Sequence, residues 1–218
     1  ECIKLNEIFI KNKTKNRPFV AIKTATTLDG KISTASGDSK WITSEVARQK
    51  AHDLRNFYDA ILTSSSTIIA DNPSMVHKNK IILDRNLKTN LSFNIYKQGN
   101  IYVFYDRNLK KKNQKTGSIR YIPSSVKNDK LDIDFILNYI YEIGITSIFV
   151  EAGGILNSSF LPYVDKLYHF IAPKILGDNT GKSCFDGLKT DKISGCYDLY
   201  VSNIETIGTD VLIECSKI

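Results

Sequence analysis

A carboxylate and two glycines lie at the end of a predicted buried strand, in the run E-A-G-G-I-L-N-S-S from Glu151 to Ser159. Glycines let a ligand approach the backbone closely, and the first amides of a following helix attract a phosphate or pyrophosphate. A carboxylate at the end of a buried strand costs free energy unless it has a function, so Glu151 is a candidate functional residue. The run differs from the six-position dinucleotide fingerprint, and an ordinary strand-to-helix turn is the alternative.

A second candidate binding segment leaves an apolar strand and reads T-A-T-T-L-D-G-K-I-S-T-A-S-G-D-S-K-W-I-T, from Thr24 to Thr43. Asp29-Gly30 and residues 36–39 predict two turns, whose amides and hydroxyls suit phosphate, ribose or amide groups. The segment ends beside the only tryptophan, Trp41. Because long ordered loops are usually functional, a ligand-binding loop is favoured over a long surface turn.

Two further segments follow predicted strands. The hydroxyls of T-S-S-S-T, from Thr63 to Thr67, are placed to surround a ribose or phosphate, or to cap a helix. Arg85 follows another strand, in L-D-R. A cation at this position of a dinucleotide-binding α/β protein can pair with a 2′-phosphate and select NADP over NAD.

The composition is that of one substantial globular domain, with 218 residues of which 42% are hydrophobic. No apolar run is long enough to span a bilayer, and the N-terminus does not resemble a signal peptide. A cytoplasmic protein with reduced thiols is therefore expected. The four cysteines include no C-x-x-C pair and the three histidines form no ligand pattern, so no metal site is predicted.

The net charge of +7 is compatible with nucleic acid or with phosphorylated small molecules as partners. Nucleic-acid binding favours a clustered basic stripe with stacking aromatics. The densest basic cluster, Lys110, Lys111, Lys112 and Lys115, has few aromatics beside it and is predicted to be a solvated loop. An anionic small molecule is therefore expected, rather than nucleic acid or a membrane.

Hydrophobic periodicity predicts the elements that position these segments. The predicted strands are Pro18–Thr26, Asp59–Thr63, Lys80–Asp84, Ile101–Tyr105, Ser147–Val150, Val164–Pro173 and two in the tail from Asp198, joined at Gly208-Thr209. The predicted helices are Ser44–Tyr58, Leu131–Ile143 and Gly153–Leu161, with a short helix or turn at Ser64–Asp71. This alternation predicts an α/β sheet with helices on both faces, made mixed by the final antiparallel hairpin.

Four segments carry a family resemblance, and they are L-D-G-K-I-S-T-A-S-G-D-S-K-W-I-T-S, A-I-L-T-S-S-S-T-I-I-A-D-N-P, I-F-V-E-A-G-G-I-L and V-D-K-L-Y-H-F-I-A-P-K-I-L-G. In this order they resemble the reductase domain of the bifunctional riboflavin-biosynthesis deaminase/reductase family, over residues 17–218. The resemblance implies a dihydrofolate-reductase-like fold with a mixed, mostly parallel sheet flanked by helices and a C-terminal antiparallel hairpin. It also implies NADPH as hydride donor and reduction of the ribosyl group of 5-amino-6-(5-phosphoribosylamino)uracil to ribityl.

The resemblance also implies roles by position. Cofactor contacts are implied for Ala25, Trp41, Thr67, Asp71, Arg85, Gly153, Gly154, Ile155 and Leu156. Substrate contacts are implied for Ser39, Arg55, Met75, Lys78 and Glu151. Relatives usually carry Leu at position 75 and Arg at position 78, and many carry Ser at position 85. Lys78 keeps the charge of an arginine without its paired donors.

The implied reaction requires the ribose to open to an imine, which needs a proton donor near the sugar oxygen. Glu151 and Lys23 are the ionisable groups predicted to serve the reacting centre. Glu151 is predicted to orient the pyrimidine or the reacting carbon and Lys23 to contact the ribose chain, with the acid itself left unassigned. Arg55 and Lys78 are predicted to hold the substrate phosphate.

Two rival functions remain open. The first is a reductase acting on the undeaminated 2,5-diaminopyrimidinone ribosyl phosphate, while the E-A-G-G turn disfavours a dihydrofolate reductase. The second is a non-catalytic basic module that binds nucleotides or RNA.

The zinc-deaminase motifs H-x-E and P-C-x-x-C do not occur in this sequence. Residues 1–16 are predicted to be an arm or connector, with the reductase domain at residues 17–218. A deaminase domain is expected either in the same protein or as a separate chain, and the resemblance implies a homodimer.

Overall fold

The computed structural model describes residues 6–109 and 115–217. Its strands are β1 (Phe19–Thr27), β2 (Lys31–Ser33), β3 (Ala60–Ser64), β4 (Asn79–Leu83), β5 (Asn100–Asp106), β6 (Lys115–Thr116), β7 (Ile119–Ser124), β8 (Val126–Lys127), β9 (Lys130–Leu131), β10 (Ser147–Val150), β11 (Lys166–Ala172), β12 (Lys182–Ser183), β13 (Leu199–Ile207) and β14 (Asp210–Lys217). Its α-helices are α1 (Glu7–Lys15), α2 (Glu45–Arg55), α3 (Ser65–Asp71), α4 (Ile133–Glu142) and α5 (Gly154–Phe160). Within these described ranges, no helix has the length and apolar character needed to cross a membrane.

The chain divides into two compact units, described separately here. The first comprises Glu1–Phe19 and Arg55–Phe149, and the second comprises Val20–Leu54 and Val150–Ile218. Every element predicted from the sequence forms, with its ends shifted by a few residues. The predicted solvated loop at Lys110–Lys112 lies outside the described residues, while the backbone of Lys115 belongs to β6.

The first unit is built on a mostly parallel arrangement of strands in the order β10-β3-β4-β5-β7-β6. β3, β4, β5 and β7 pair in parallel, and only β6 runs antiparallel to β7. An apolar cluster that includes Ile61, Ile82 and Val103 packs as the core of this unit. Parallel strands have their carboxyl ends at one edge, where α/β proteins usually bind ligands.

The sequence pattern did not predict β7, because Pro123 lies within it and proline is disfavoured in a central strand. β6 pairs only with Ile119 and Arg120, so Pro123 lies beyond the end of that pairing. The strand tolerates the proline for this reason.

Residues 7–15, which the sequence assigned to a polar arm, form α1. The helix is anchored by polar contacts within the first unit. The Asn12 amide donates to the Thr146 carbonyl at 3.0 Å, and the Tyr141 hydroxyl donates to the Asn12 carbonyl at 3.2 Å. Sequence periodicity missed this helix because its anchoring residue is an asparagine, which is 7% exposed, rather than an apolar stripe.

The second unit contains strands in the order β13-β14-β11-β1. β1 and β11 are parallel, whereas β14 runs antiparallel to both β11 and β13. The predicted C-terminal hairpin is confirmed, and Gly208 adopts a φ of +61° at its turn. Buried Asp210 accepts hydrogen bonds from the Ser44 N–H at 2.7 Å and the Ser44 hydroxyl at 2.8 Å, which ties the start of α2 to β14.

The predicted loop from Thr24 to Thr43 is wrong in its first part. β1 continues to Thr27, and Lys31–Ser33 form β2, which pairs with β12. The three β-branched threonines of the run T-A-T-T favour the strand over a loop. Gly30 and Gly37 adopt φ values of +78° and +97°, which confirms the two turns predicted around them.

Asp29 organises the first of these turns. Its carboxylate accepts hydrogen bonds from the Thr27 hydroxyl at 2.6 Å and from the N–H groups of Leu176 and Gly177 at 3.0 and 2.9 Å. These donors stabilise the charged form and hold the pKa of the Asp29 carboxyl well below its ordinary value.

A fully buried carboxylate shapes the loop after β4 in the first unit. Asp84 accepts from the Lys88 N–H at 2.9 Å, and from the N–H and hydroxyl of Thr89 at 2.8 and 2.7 Å. The Thr89 hydroxyl in turn lies 2.6 Å from the Tyr96 hydroxyl. Because buried N–H groups need acceptors, these contacts fix the path of residues 85–89.

We expect Asp84→Ala to lower the free energy of unfolding by about 3 kcal/mol, because it leaves buried donors without their charged acceptor. Urea denaturation measures the difference. Asp191→Ala removes an exposed carboxylate and is the matched control, expected to change stability by less than about 0.5 kcal/mol. Equal stabilities of the two variants would contradict the role of Asp84.

The depressed pKa of Asp29 predicts a pH-dependent contribution to stability. The contribution is fully present above about pH 4, where the carboxyl is ionised in the unfolded chain too, and is lost as pH falls through the folded pKa. Asp29→Asn should therefore lower the thermal midpoint at pH 7, and its difference from the wild type should shrink between pH 5 and pH 2. A difference that is constant over this range would exclude the assignment.

Candidate functional site

The two glycines of the turn between β10 and α5 have different physical roles. A Cβ at Gly153 would meet nothing within 4 Å, and no side chain caps the helix, so the backbone here is open to a ligand. A Cβ at Gly154 would collide with the Ser183 carbonyl oxygen and approach Asp186 Cβ to 3.0 Å. Gly154 is therefore required by packing, whatever contacts a ligand makes.

The segment that crowds Gly154 is itself fixed to α5. The Asn157 amide donates to the carbonyls of Ala152 and Cys184 at 3.1 and 3.0 Å. The Asp186 N–H donates to the Ser158 hydroxyl at 2.8 Å. These contacts rigidify the turn. The predicted cofactor positions Ile155 and Leu156 lie in the first turn of α5, where Ile155 is 60% exposed.

Glu151 directly follows β10 and is only 9% exposed. The structure therefore confirms that this carboxylate lies at the end of a buried strand. Its place directly before the turn that carries Gly153 and Gly154 keeps Glu151 a candidate for a chemical role.

Lys23 and Ala25 are two residues apart in β1, so their side chains project from the same face of the strand. Both are partly exposed, whereas most other residues of β1 are buried. The Lys23 ammonium lies 5.7 Å from the centroid of the Phe170 ring, within cation–π range. The structure thus brings a predicted catalytic residue and a predicted cofactor residue onto one accessible face.

Trp41 is 63% exposed and is held in place by basic neighbours. The Arg48 guanidinium carbon lies 4.3 Å from the ring centroid, and the Lys174 ammonium donates to the Trp41 carbonyl at 2.7 Å. Ser39, the predicted substrate contact two residues earlier, is partly exposed. An exposed, braced aromatic ring suits stacking on a planar ligand.

In the first unit, the hydroxyl-bearing residues from Thr63 to Thr67 have different structural roles. Ser64 caps α3 by accepting the Thr67 N–H at 3.3 Å, so the helix-cap alternative is confirmed for this residue. The Thr63 hydroxyl is buried and, among the described residues, has no hydrogen-bond partner. The hydroxyl-bearing residues Ser65 and Ser66 line a pocket.

This pocket has a volume of about 420 Å³ and lies beside the carboxyl ends of β3 and β4. It is lined by Ser65, Ser66, Ile69 and Ala70 from α3 and by Arg85, Asn86 and Lys88 from the following loop. Its size is in the range typical of small-molecule sites.

Arg85, the predicted selector of NADP, is engaged by two carboxylates. Its Nη1 donates to the Asp129 carbonyl at 2.5 Å, its Nη2 lies 3.2 Å from Asp129 Oδ1, and its Nε lies 3.8 Å from Asp106 Oδ2. The guanidinium is therefore held within the first unit, while its buried Nε has no hydrogen-bond partner among the described residues.

The other predicted residues of the first unit are spread over three elements. Arg55 ends α2, Asp71 ends α3 and is exposed, and Lys78 is exposed just before β4. Met75 is 7% exposed and belongs to the apolar cluster. Its side chain is thus a core residue by packing, and contact with a ligand stays a prediction.

No group of three His, Cys, Asp or Glu side chains within residues 6–109 and 115–217 is arranged to hold a metal ion. His52 lies in α2 and His169 in β11, as predicted. His169 Nδ1 lies 2.6 Å from the Thr24 hydroxyl, and burial lowers the pKa of the His169 imidazole.

Sequence reasoning missed Asn86 and Lys88 as pocket residues. One feature of the sequence could have predicted Lys88. It lies in the loop after β4, and the hydroxyl-bearing residues lie after β3, so a parallel pairing of these two strands brings the two segments to the same edge of the sheet. The loop path, set by Asp84, decides that the Lys88 side chain lines the pocket.

The comparisons with family models and with curated proteins identify the same family. The family model for the RibD C-terminal domain matches residues 18–213. The riboflavin biosynthesis protein RibD of Actinobacillus pleuropneumoniae is 32% identical over 228 residues, covering 98% of this chain and 61% of the relative. The chain spans about six tenths of the length of the curated relatives it matches.

Two examples of solved structures with the same fold illustrate the similarity. A diaminohydroxyphosphoribosylaminopyrimidine deaminase/5-amino-6-(5-phosphoribosylamino)uracil reductase from Thermotoga maritima superposes with a TM-score of 0.85 at 32% identity, covering 99% of this chain and 61% of that one. The riboflavin biosynthesis reductase of Saccharomyces cerevisiae gives a TM-score of 0.71 at 21% identity, covering 98% and 99%. The predicted fold class, a mixed and mostly parallel sheet flanked by helices, is confirmed. The chain belongs to the RibD C-terminal domain family, as its four motifs predicted.

Proposed function

We propose that this chain catalyses the NADPH-dependent reduction of the ribosyl group of 5-amino-6-(5-phosphoribosylamino)uracil to ribityl. The observation that carries the proposal is the family match over residues 18–213. The Thermotoga maritima relative is described as both a deaminase and a reductase. Because the zinc-deaminase motifs do not occur in this sequence, the reductase is the activity we assign to it.

Membership of this family implies a nicotinamide cofactor, and we propose NADPH. The open space at Gly153, the uncapped start of α5 and the exposed Trp41 fit a dinucleotide. We propose cofactor contacts for Ala25, Trp41, residues 153–156, Thr67, Asp71 and Arg85. When bound, the cofactor supplies the hydride that the reduction requires.

The chemical work of the protein is to open the ribose and to orient its C1′ atom. Ring opening requires a proton at the sugar oxygen, and the resulting imine is stabilised by a nearby carboxylate. We assign orientation of the pyrimidine or the reacting carbon to the buried Glu151 and contact with the ribose chain to Lys23. The low exposure of Glu151 limits the contact of this residue with water, which strengthens its electrostatic interactions.

The substrate phosphate is assigned to Arg55 and Lys78. A phosphate dianion is best recognised by charge-assisted hydrogen bonds, and both residues carry the required donors. Lys78 presents its charge as a single ammonium rather than a planar fork, so its contact depends less on the orientation of the phosphate.

The proposal extends to the whole protein. We propose that residues 17–218 form the reductase domain and that residues 1–16, whose helix α1 is anchored on the first unit, serve as a connector. The curated relatives are longer than this chain, which supports a deaminase domain in the same protein. The assembly is proposed to be a homodimer.

The proposed activity predicts oxidation of NADPH, followed by absorbance, when 5-amino-6-(5-phosphoribosylamino)uracil is added. NADH should be used less efficiently by about tenfold or more, a difference of roughly 1.4 kcal/mol. The undeaminated diaminopyrimidinone is the parallel substrate. Faster turnover of that substrate would replace the proposed one, and absence of turnover with both would refute the reductase assignment.

Glu151→Gln should lower kcat by about 100-fold while leaving NADPH binding unchanged, because the amide keeps the size but loses the charge. Glu142→Gln, which changes an exposed glutamate of α4, is the matched control and should retain full activity. Steady-state kinetics and cofactor fluorescence give the two readouts. Full turnover by Glu151→Gln would remove this residue from the mechanism.

A further inference from the structure

The connection between α3 and β4 is irregular backbone that leads to Lys78. Residues 72–78 contain no helix or strand, and Asn72 and Met75 adopt φ values of +43° and +39°. Lys78 is exposed, and over residues 6–109 and 115–217 it forms no ion pair. Its ammonium can therefore meet an anion, and where it does so depends on how the backbone at residues 77–79 is held.

The start of this connection is fixed by a pair of asparagines. The Asn94 N–H donates to Asn72 Oδ1 at 2.8 Å, and the Asn94 side-chain amide donates to the Asn72 carbonyl at 3.1 Å. The Asn72 N–H donates to the Ile68 carbonyl at 2.9 Å, which closes α3. The chain therefore leaves the helix along a defined path, and its other end must be held separately.

His77 holds that other end through both ring nitrogens. Its Nε2 lies 3.0 Å from the Tyr58 carbonyl oxygen, and its Nδ1 lies 3.2 Å from the Asn79 nitrogen and 2.9 Å from the Asn79 carbonyl oxygen. Because a carbonyl only accepts, the neutral ring carries its proton on Nε2 and donates it to Tyr58, and Nδ1 accepts the Asn79 N–H. The ring thus joins the segment before β3 to the first residue of β4.

The turn before β5 closes around Lys78 from another side. The Asn100 N–H donates to the Lys78 carbonyl at 2.8 Å. Gly99 adopts a φ of +79°, and a Cβ there would lie 2.5 Å from the His77 carbonyl oxygen and 2.9 Å from the Lys78 carbonyl oxygen. Only glycine permits this close approach of two backbone segments. The Lys78 side chain therefore starts from a backbone position that is held on both sides.

The strands beside this segment are held together by contacts that do not use the His77 ring. The Asn79 side-chain amide donates to the Asp59 carbonyl at 2.9 Å, and the Asn100 side-chain amide donates to Asn79 Oδ1 at 3.0 Å. These contacts join the amino ends of β3, β4 and β5. We therefore expect the first unit to fold without the His77 ring, while the path of residues 76–78 changes.

Resting on the proposed function, we propose that His77 is a positioning residue that holds Lys78 where its ammonium meets the substrate phosphate. An arginine aligns on a phosphate through two parallel N–H groups, whereas the lysine ammonium is a compact charge on a flexible stem. Because the attraction between two charges falls with their separation, recognition by Lys78 depends strongly on the backbone from which the stem starts. His77 acts through Lys78 and is not itself assigned a contact with the phosphate.

The test is a double-mutant cycle in the full chain, with 5-amino-6-(5-phosphoribosylamino)uracil and NADPH as substrates. His77→Ala should raise the KM for the pyrimidine by about fivefold to tenfold and change kcat by less than about twofold, because a contact with a distant phosphate serves binding. Lys78→Ala should raise the same KM by at least as much. In the Lys78→Ala background, His77→Ala should add no further increase, since it acts only through the missing ammonium.

Three more variants separate positioning from a loss of structure. His77→Gln keeps a side-chain N–H for the Tyr58 carbonyl and should restore most of the affinity, whereas His77→Leu keeps the bulk without the nitrogens and should share the increase in KM. Val76→Ala truncates the preceding side chain, which is 68% exposed, and should behave as the wild type. Urea denaturation compares the stability of all variants, and His77→Leu replaces His77→Ala in the cycle if the alanine variant is unfolded.

The inference is overturned if His77→Ala and His77→Leu leave KM unchanged, or if the effects of the substitutions at residues 77 and 78 are additive. Calorimetry with ribose 5-phosphate tests the same coupling without catalysis. Binding of this probe that both substitutions weaken non-additively, with no turnover of either pyrimidine, would support the role of His77 and refute the reductase assignment. Turnover with a KM that is indifferent to His77→Ala would do the reverse, and absence of both turnover and probe binding would refute both.

Discussion

Backbone N–H groups at the ends of strands and in tight turns need acceptors, and in this protein aspartate carboxylates meet that need. In each case a carboxylate oxygen lies within hydrogen-bond distance of one or more backbone N–H groups. The residues concerned are Asp29, Asp59, Asp84, Asp165 and Asp210. Each contact joins segments that the fold must hold in one arrangement, because an unpaired buried donor costs free energy comparable to a lost hydrogen bond.

The same constraint prepares the candidate site. Asp84 sets the path of the loop that carries Arg85 and Lys88, and Asp29 fixes the turn that precedes the segment containing Trp41. The candidate binding residues on these loops are therefore presented by hydrogen-bonded backbone rather than by flexible chain. Close packing has a similar effect at the turn after β10. Gly154 packs closely against the Ser183 carbonyl oxygen, whereas the space beside Gly153 is free of protein atoms. Rigid presentation lowers the ordering cost when a ligand binds.

Most of the fold follows from periodicity in the sequence, and the exceptions have physical causes. Strands such as β3 and β5 are apolar runs bounded by turn residues, so their patterns are unambiguous. α1 was missed because asparagine and tyrosine hydrogen bonds anchor it. β7 was missed because Pro123 is acceptable only where β6 no longer pairs with the strand. The first exception depends on Thr146 and Tyr141, which are distant in the sequence from α1, and the second depends on where the pairing of β6 with β7 ends.

The sequence by itself determined the family, the mixed α/β fold and the segments that could bind a phosphorylated ligand, because motif order and local pattern are written along the chain. Tertiary structure decided which residues of those segments are available. In the folded protein, Arg85 forms ion pairs with Asp106 and Asp129, the Lys88 side chain lines the pocket, and Met75 lies in the apolar core. Charge compensation and burial depend on groups brought together by folding, and local sequence carries no record of them.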